Sequence, residues 1–114
     1  MPLPSPWLRR FAALGLLLSV AACGRSPAEP PPAVYTVTID AMRFTPETLT
    51  VRTGDTVVWV NKDMVPHTAT ATGGGFDSKV IAAGQSWSQR MTAAGDVPYV
   101  CALHPPMKGT LRVQ

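Results

Sequence analysis

Three metal-binding side chains occur within seven residues near the carboxyl end of the chain: Cys101, His104 and Met107. Thiolate and thioether sulfur favour Cu(I), and imidazole binds both oxidation states of copper. Two histidines and one cysteine with a weak axial methionine form the donor set of copper sites that transfer electrons. His67 is the only other histidine of the chain. We therefore predict one copper ion, cycling between Cu(I) and Cu(II), held by His67, Cys101, His104 and Met107.

The axial position has a second candidate, because Met64 lies three residues before His67. Met107 is preferred, because Cys101, His104 and Met107 follow one another at intervals of three residues. A methionine that is not a ligand, such as Met64 would then be, usually serves as apolar filler. Met42 and Met91 are assigned no role at the site. Zinc could occupy the same donors, although a thioether is not a usual zinc ligand.

Catalysis is not expected from this donor set. A thiol hydrolase would need Cys101 activated by a base that a third residue orients, and a strand-end cysteine before a proline-rich loop supplies no such arrangement. A copper enzyme would need an open coordination position for its substrate, and four protein ligands leave none. A copper(I) chaperone or storage module remains the alternative, because the same donors could hold Cu(I) for delivery.

The first 22 residues predict a secretory signal peptide. Arg9 and Arg10 precede an apolar run over residues 11–22 that is too short to span a bilayer stably. The run ends in small residues directly before Cys23, which resembles a bacterial lipoprotein signal whose cysteine is acylated. Ordinary cleavage after Ala22, leaving a free thiol, is the alternative. We expect an exported protein of the periplasm or cell envelope, anchored to the membrane through a lipid on Cys23.

The mature chain would be almost neutral. Without residues 1–22, eight Lys and Arg stand against seven Asp and Glu, scattered singly along the sequence. That distribution gives no basic patch for nucleic acid. Residues 23–33 are rich in proline and predict an extended tether that cannot build a core. Cys101 would be the only thiol besides the anchor, which leaves metal binding as its natural role in an oxidising compartment.

Residues 34–114 predict a single all-β domain. Apolar and polar residues alternate with period two in segments bounded by glycine-containing turns, and no sustained helical period occurs. Seven or eight short strands in this length predict a small all-β sandwich or barrel. Phe44, Trp59 and Trp87 are the expected aromatic residues of the core. The predicted strands cover residues 34–40, 48–52, 56–61, 68–72, 85–91, 97–101 and 110–113.

Three blocks of sequence resemble one known family. They are the segment from Phe44 to Asn61, the dipeptide Pro66-His67, and the Cys-x-x-His-Pro-x-Met motif of residues 101–107. Together they are similar to cupredoxins of the plastocyanin and amicyanin type, over about residues 34–113. The resemblance implies a Greek-key sandwich that binds one type 1 copper and shuttles single electrons between redox partners.

Carried over by motif position, the resemblance implies a role for each donor. His67 would be the upstream ligand, Cys101 the short thiolate ligand, His104 the second imidazole and Met107 the long axial ligand. The residue after the upstream histidine is commonly Asn in these proteins and ties the two ligand loops together, whereas this chain has Thr68. A threonine hydroxyl is shorter, so the link between the loops is expected to differ.

Residues beside the ligands are expected to hold the loops and to meet partners. Pro66, Thr68 and Pro105 flank the donors, and proline stiffens a loop by fixing φ. An exposed apolar surface usually marks an interaction site, and here it would dock redox proteins transiently to a monomer. The alternative is that these residues only pack the loops together. The residues of this surface, called the apolar collar below, are Met64, Val65, Leu103, Pro105 and Pro106.

Overall fold

The computed structural model describes residues 2–3, 15–17, 19, 24 and 28–114. Cys23 and most of the predicted signal peptide lie outside the described residues, so the lipidation site and the cleavage site stay predictions. None of the described residues belongs to a helix of the length and apolarity that crossing a membrane requires.

Within residues 28–114, eight strands form two four-stranded sheets, which confirms the predicted all-β class. One sheet has the order β2-β1-β4-β6 and the other β3-β8-β7-β5. Residues 28–114 contain no helix. The strands are β1 (Val34–Asp40), β2 (Arg43–Thr45), β3 (Thr48–Val51), β4 (Thr56–Asn61), β5 (Thr70–Ala71), β6 (Ser86–Arg90), β7 (Gly95–Cys101) and β8 (His104–Val113).

The period-two pattern places alternate residues of each strand in the space between the sheets. β1 and β4 pair in parallel with Val37 opposite Trp59, and both side chains are fully buried. β-branched residues dominate these strands because they pack well on a pleated surface. The parallel β3–β8 pair and the antiparallel β7–β8 pair build the second sheet.

Aromatic side chains fill the interior near the site. Trp59 and Tyr99 are buried, with ring centroids 5.5 Å apart in an edge-to-face arrangement. Phe44 meets Tyr99 with centroids 4.7 Å apart. Trp87 is half-buried and packs on Trp59 at 5.6 Å. The three predicted core aromatics therefore all contact the core, and Phe76 joins them.

The downstream donors lie in a hairpin that differs from the predicted loop. The predicted strands left residues 102–109 in a proline-rich loop, but only Ala102 and Leu103 form a turn, and both donors belong to β8. Cys101 pairs with His104 and the next pair is Val100 with Lys108, so residues 105–107 face no partner on β7. Pro105 and Pro106 lack the N–H that a ladder needs, so this part of β8 is extended but bulged.

Tyr99 gives the domain a stability limit at alkaline pH. Burial raises the pKa of Tyr99 to about 12, whereas an unfolded tyrosine ionises near pH ~10. Between these values the folded chain holds a proton that the unfolded chain has lost, so stability falls as pH rises. We expect a loss of about 2–3 kcal/mol in the free energy of unfolding, since one pKa unit corresponds to about 1.4 kcal/mol.

Urea unfolding of the wild type and Tyr99→Phe across this pH range checks the expectation. The variant lacks the titrating hydroxyl, so its unfolding midpoint should decline less above pH ~10. Equal declines in the two proteins would assign the alkaline loss to other groups.

Candidate metal centre

The structure brings Cys101, His67 and His104 together. The Sγ of Cys101 lies 3.7 Å from the Nδ1 of His67 and 3.6 Å from the Nδ1 of His104. One donor atom from each of the three residues lies within 4.8 Å of the other two. His67 and Cys101 are fully buried and His104 is half-buried. Among the described residues, no other cluster of three or more His, Cys, Asp or Glu donors is found.

The spacing of these donors fits a single first-row metal ion. Nitrogen and sulfur ligands lie about 2.0–2.3 Å from such an ion, so two ligands of one ion stand within about 4.6 Å of each other. The measured Sγ to Nδ1 distances satisfy that limit. One thiol with two imidazoles is also the donor chemistry that suits copper.

The two axial candidates differ in burial. Met107 is buried, whereas 94% of Met64 is exposed. A ligand must face the same interior as Cys101 and His67, so burial favours Met107. Met91 is also buried, but it lies at the carboxyl end of β6, where its amide donates to Asp55.

Asp63 contacts the site, although no sequence motif pointed to it. Its Oδ2 lies 2.8 Å from the Nε2 of His67. A carboxylate only accepts hydrogen bonds, so Nε2 carries the proton and Nδ1 keeps its lone pair for a metal. The same carboxylate accepts hydrogen bonds from the amides of Ala41 and Met42, which both have positive φ. Asp63 thus holds the β1–β2 turn and a ligand histidine at once.

The hydrogen bonds keep Asp63 ionised. Burial by itself raises the pKa of this carboxyl, but the Met42 amide, the His67 ring and the Ala41 amide lower it. The donors outweigh burial, and the pKa of Asp63 lies below its ordinary value. A fixed negative charge therefore lies next to the outer nitrogen of His67 at neutral pH.

Asp63→Asn should raise the reduction potential of the copper-loaded protein. The carboxylate would stabilise bound Cu(II) over Cu(I) through the His67 ring, and an amide keeps a hydrogen-bond acceptor without the charge. A tenfold change in the Cu(I)/Cu(II) equilibrium corresponds to about 59 mV for one electron, and we expect a shift of about this size by voltammetry. Asp40→Asn is the matched control, because Asp40 also accepts from the Ala41 amide and makes no hydrogen bond to His67. Equal potentials in the two variants would contradict the assignment.

Thr68 links the two ligand loops. Its amide donates to the Sγ of Cys101 at 3.3 Å, and its hydroxyl accepts the amide of Ala102 at 2.7 Å. Thr68, which directly follows His67, is therefore hydrogen-bonded to both Cys101 and Ala102. The linking group is therefore a hydroxyl, where an Asn at this position would supply an amide. This hydroxyl also has a second partner, because Thr68 Oγ1 lies 2.9 Å from Thr70 Oγ1.

Comparison with known proteins identifies the class of copper centre. The family profile for copper-binding proteins of the plastocyanin/azurin family matches residues 33–114. The chain belongs to this family. The cupredoxin resemblance in the sequence is thereby confirmed, and copper is the metal of the site.

Relatives of this plastocyanin/azurin family member include both types named by the resemblance. Amicyanin of Paracoccus denitrificans is 31% identical over 116 residues, covering 94% of this chain and 88% of the relative. Plastocyanin of Scenedesmus fuscus is 34% identical over 87 residues, covering 65% of this chain and 89% of the relative. A solved structure of a point variant of amicyanin in its oxidised state matches with a TM-score of 0.68 and 30% identity, covering 77% of this chain and 95% of that one.

The apolar collar of this family member is exposed. Met64 and Val65 precede His67 in one ligand loop, with 94% and 43% of their surfaces exposed. Leu103 precedes His104 in the β7–β8 hairpin and is 48% exposed. Pro105 and Pro106 are exposed as well, as is Pro66. The collar residues therefore come from both loops that carry the donors.

Proposed function

We propose that this chain is a type 1 blue copper protein that shuttles single electrons between redox partners. The proposed ligands are His67, Cys101, His104 and Met107. The observation that carries the proposal is the convergence of two Nδ1 atoms on one buried sulfur, each within 3.7 Å of it, in a chain of a copper-binding family.

The surroundings of the donors suit a centre that changes oxidation state without moving. Bound copper would supply a one-electron Cu(I)/Cu(II) couple. Asp63 orients the His67 ring, and the Thr68 amide donates to the sulfur of Cys101. Hydrogen bonds to a ligand sulfur and the orientation of ligand imidazoles tune the potential and limit rearrangement.

Electrons would pass through the ring of His104. Of the three converging donor residues, His104 alone is not fully buried. The collar is apolar and comes from both ligand loops, with Leu103 directly before His104, which suits brief docking over a small area. We propose that the protein is monomeric, catalyses no reaction of its own, binds no nucleic acid and meets its redox partners at this surface.

The sequence signal supports attachment to the cell envelope. We propose that residues 1–22 are removed on export, that Cys23 receives a lipid, and that residues 23–33 tether the domain of residues 34–114 to the membrane in the periplasm or cell envelope. In cell fractionation, Cys23→Ser should move from the membrane fraction to the soluble fraction, and the purified variant should bind copper as the wild type does.

A copper(I) chaperone or storage module is the second candidate for this scaffold. Metal transfer between proteins needs access to the donors, but His67 and Cys101 are fully buried. Burial therefore favours a retained ion over a delivered one.

Repeated reduction and oxidation of the copper-loaded protein tests the proposal against this alternative. The oxidised protein should be intensely blue, with a type 1 EPR signal, and should keep its copper through the cycles in the presence of a Cu(I) chelator. A colourless oxidised protein, or transfer of most of the copper to the chelator in one cycle, would refute electron transfer.

Electron self-exchange between two copies tests the docking surface without a named partner. Leu103→Lys places a charge in the collar, so two copies repel each other at the contact, and we expect exchange to slow about tenfold at low salt. Val34→Lys is the control, because Val34 is also exposed, at 69% against 48% for Leu103, but lies at the start of β1, opposite Thr56. NMR line broadening of mixed Cu(I)/Cu(II) samples measures both rates, and equal slowing would contradict the docking role.

A further inference from the structure

The two ligand loops are joined by a reciprocal pair of hydrogen bonds centred on Thr68. The Thr68 amide donates to Cys101, and the Ala102 amide donates to the Thr68 hydroxyl. Ala102 lies between Cys101 and His104, so its amide fixes the turn that connects two donors. The position of the Thr68 hydroxyl therefore matters to two proposed ligands at once.

The hydroxyl of Thr68 does not end the chain of hydrogen bonds. Thr68 Oγ1 lies 2.9 Å from Thr70 Oγ1, and the Thr70 hydroxyl donates to Asp77 Oδ1 at 3.3 Å. A threonine hydroxyl has one hydrogen to give. Because Thr70 gives its hydrogen to Asp77, Thr68 must donate to Thr70, and this leaves the Thr68 lone pairs for Ala102. The hydrogen bonds Ala102–Thr68, Thr68–Thr70 and Thr70–Asp77 form a chain that is called the relay below. In each of them the hydrogen is donated in the direction of Asp77.

The carboxylate at the end of the relay is fixed by its own neighbours. The amide and the ammonium group of Lys79 donate to Asp77 at 2.9 and 3.2 Å. Hydrogen bonds from Lys79 hold the pKa of Asp77 below its ordinary value. The backbone supports the same arrangement, since Thr70 is bridged to Asp77 and His67 to Ile81. A backbone amide can only donate and an ionised carboxylate can only accept, so the two ends set the direction of the relay.

We propose that Thr70 and Asp77 are positioning residues of the copper centre, which orient the Thr68 hydroxyl and through it the turn between Cys101 and His104. An Asn side chain carries its own donor and acceptor groups, whereas a lone hydroxyl is free to rotate unless its hydrogen has a fixed acceptor. Thr70 and Asp77 supply that acceptor here. Hydrogen bonds in such a chain also polarise and strengthen one another. The inference deepens the proposed function and rests on its ligand set.

Amide hydrogen exchange at Ala102 in the metal-free full-length protein measures the relay directly. Thr70→Val removes one hydroxyl at constant shape, and we expect Ala102 to exchange about fivefold faster, the effect of weakening one hydrogen bond of ordinary strength. Thr70→Ser should restore the slow rate. Thr72→Val is the matched control, because the Thr72 hydroxyl donates to the Pro98 carbonyl, outside the relay. Asp77→Ala should accelerate Ala102 about as much as Thr70→Val.

The relay also predicts coupling between its members. In a Thr68→Val background the Ala102 amide has already lost its acceptor, so adding Thr70→Val should change its exchange rate by less than about twofold. Equal acceleration by Thr70→Val and Thr72→Val, or a full effect of Thr70→Val in the Thr68→Val background, would overturn the proposal.

A second readout uses the copper-loaded protein. Thr70→Val should shift the reduction potential and the type 1 EPR hyperfine splitting, while Thr70→Ser and Thr72→Val leave both at the wild-type values. An unchanged potential and splitting in Thr70→Val would overturn the positioning role even if Ala102 exchange responded. A failure of the ligand assignment is distinguishable, because the wild type itself would then lack the type 1 signal while Ala102 exchange still reported on the relay.

Discussion

Cys101→Ser should abolish the blue colour of the copper-loaded protein and lower its affinity for Cu(I) by about 100-fold or more. The colour of such a site arises from charge transfer between a thiolate and Cu(II), and serine supplies no sulfur. The loss of affinity follows because thiolate is the softest of the proposed donors. Changes to residues that only support a ligand cost about 10- to 100-fold, so removal of the ligand itself is expected to reach at least the upper value.

Visible absorption, EPR and competition with a Cu(I) chelator measure the effect of Cys101→Ser. Cys23→Ser is the natural control, because Cys23 is the only other cysteine of the chain and lies outside residues 33–114, which match the copper-binding family. The control should remain blue with unaltered affinity. Blue colour in Cys101→Ser, or its loss in Cys23→Ser, would show that the wrong sulfur had been assigned.

The parts of the fold that sequence predicted are those determined locally. Alternation of apolar and polar residues with period two identified β1 and β4 at their observed bounds, since each strand has one face in the core. β2 was missed because its three residues, Arg43–Thr45, are too few to show a period. The start of β7 was placed at Val97 instead of Gly95 for a different reason, because Gly95 and Asp96 are exposed residues of types that are typical of a turn.

The metal donors were identifiable from spacing, but their surroundings were not. Cys101 and His104 are close in sequence, and His67 could be chosen because no other histidine was available. Asp63 and Asp77 contact the site or its supports through side-chain hydrogen bonds across loops. An aspartate in a loop is most often a solvated residue, so only the folded arrangement distinguishes these two from the other carboxylates.

The placement of His104 shows how tertiary pairing overrides a local signal. Two consecutive prolines normally exclude a central strand, and they led us to predict a loop over residues 102–109. The strand persists because Cys101 and His104 pair on one side of the prolines and Val100 and Lys108 on the other. Residues 105–107 therefore form a bulge in β8 without partners on β7. The register between β7 and β8 depends on both strands and cannot be read from the propensities of the individual residues.

Gly109→Ala should be among the most destabilising single substitutions in the domain. Gly109 lies opposite Tyr99 in the β7–β8 pair, and a Cβ at this position would stand only 2.3–2.8 Å from the Cζ, Oη and Cε1 atoms of the Tyr99 ring. The ring cannot move aside easily, because it is buried against Phe44 and Trp59. Overpacking of a dense core costs about 1–3 kcal/mol, and we expect about 3 kcal/mol here by urea unfolding.

A double-mutant cycle separates this clash from a general intolerance of alanine at position 109. Tyr99→Leu removes the ring atoms that meet the new Cβ, so Gly109→Ala should cost less than about 1 kcal/mol in that background. Tyr99→Phe keeps the ring and should give no comparable relief. Because Tyr99 lies two residues before Cys101 on β7, displacement of its ring would also disturb the strand that carries the sulfur. A full cost of Gly109→Ala in the Tyr99→Leu background would place the strain in the backbone of β8 instead of in the contact with Tyr99.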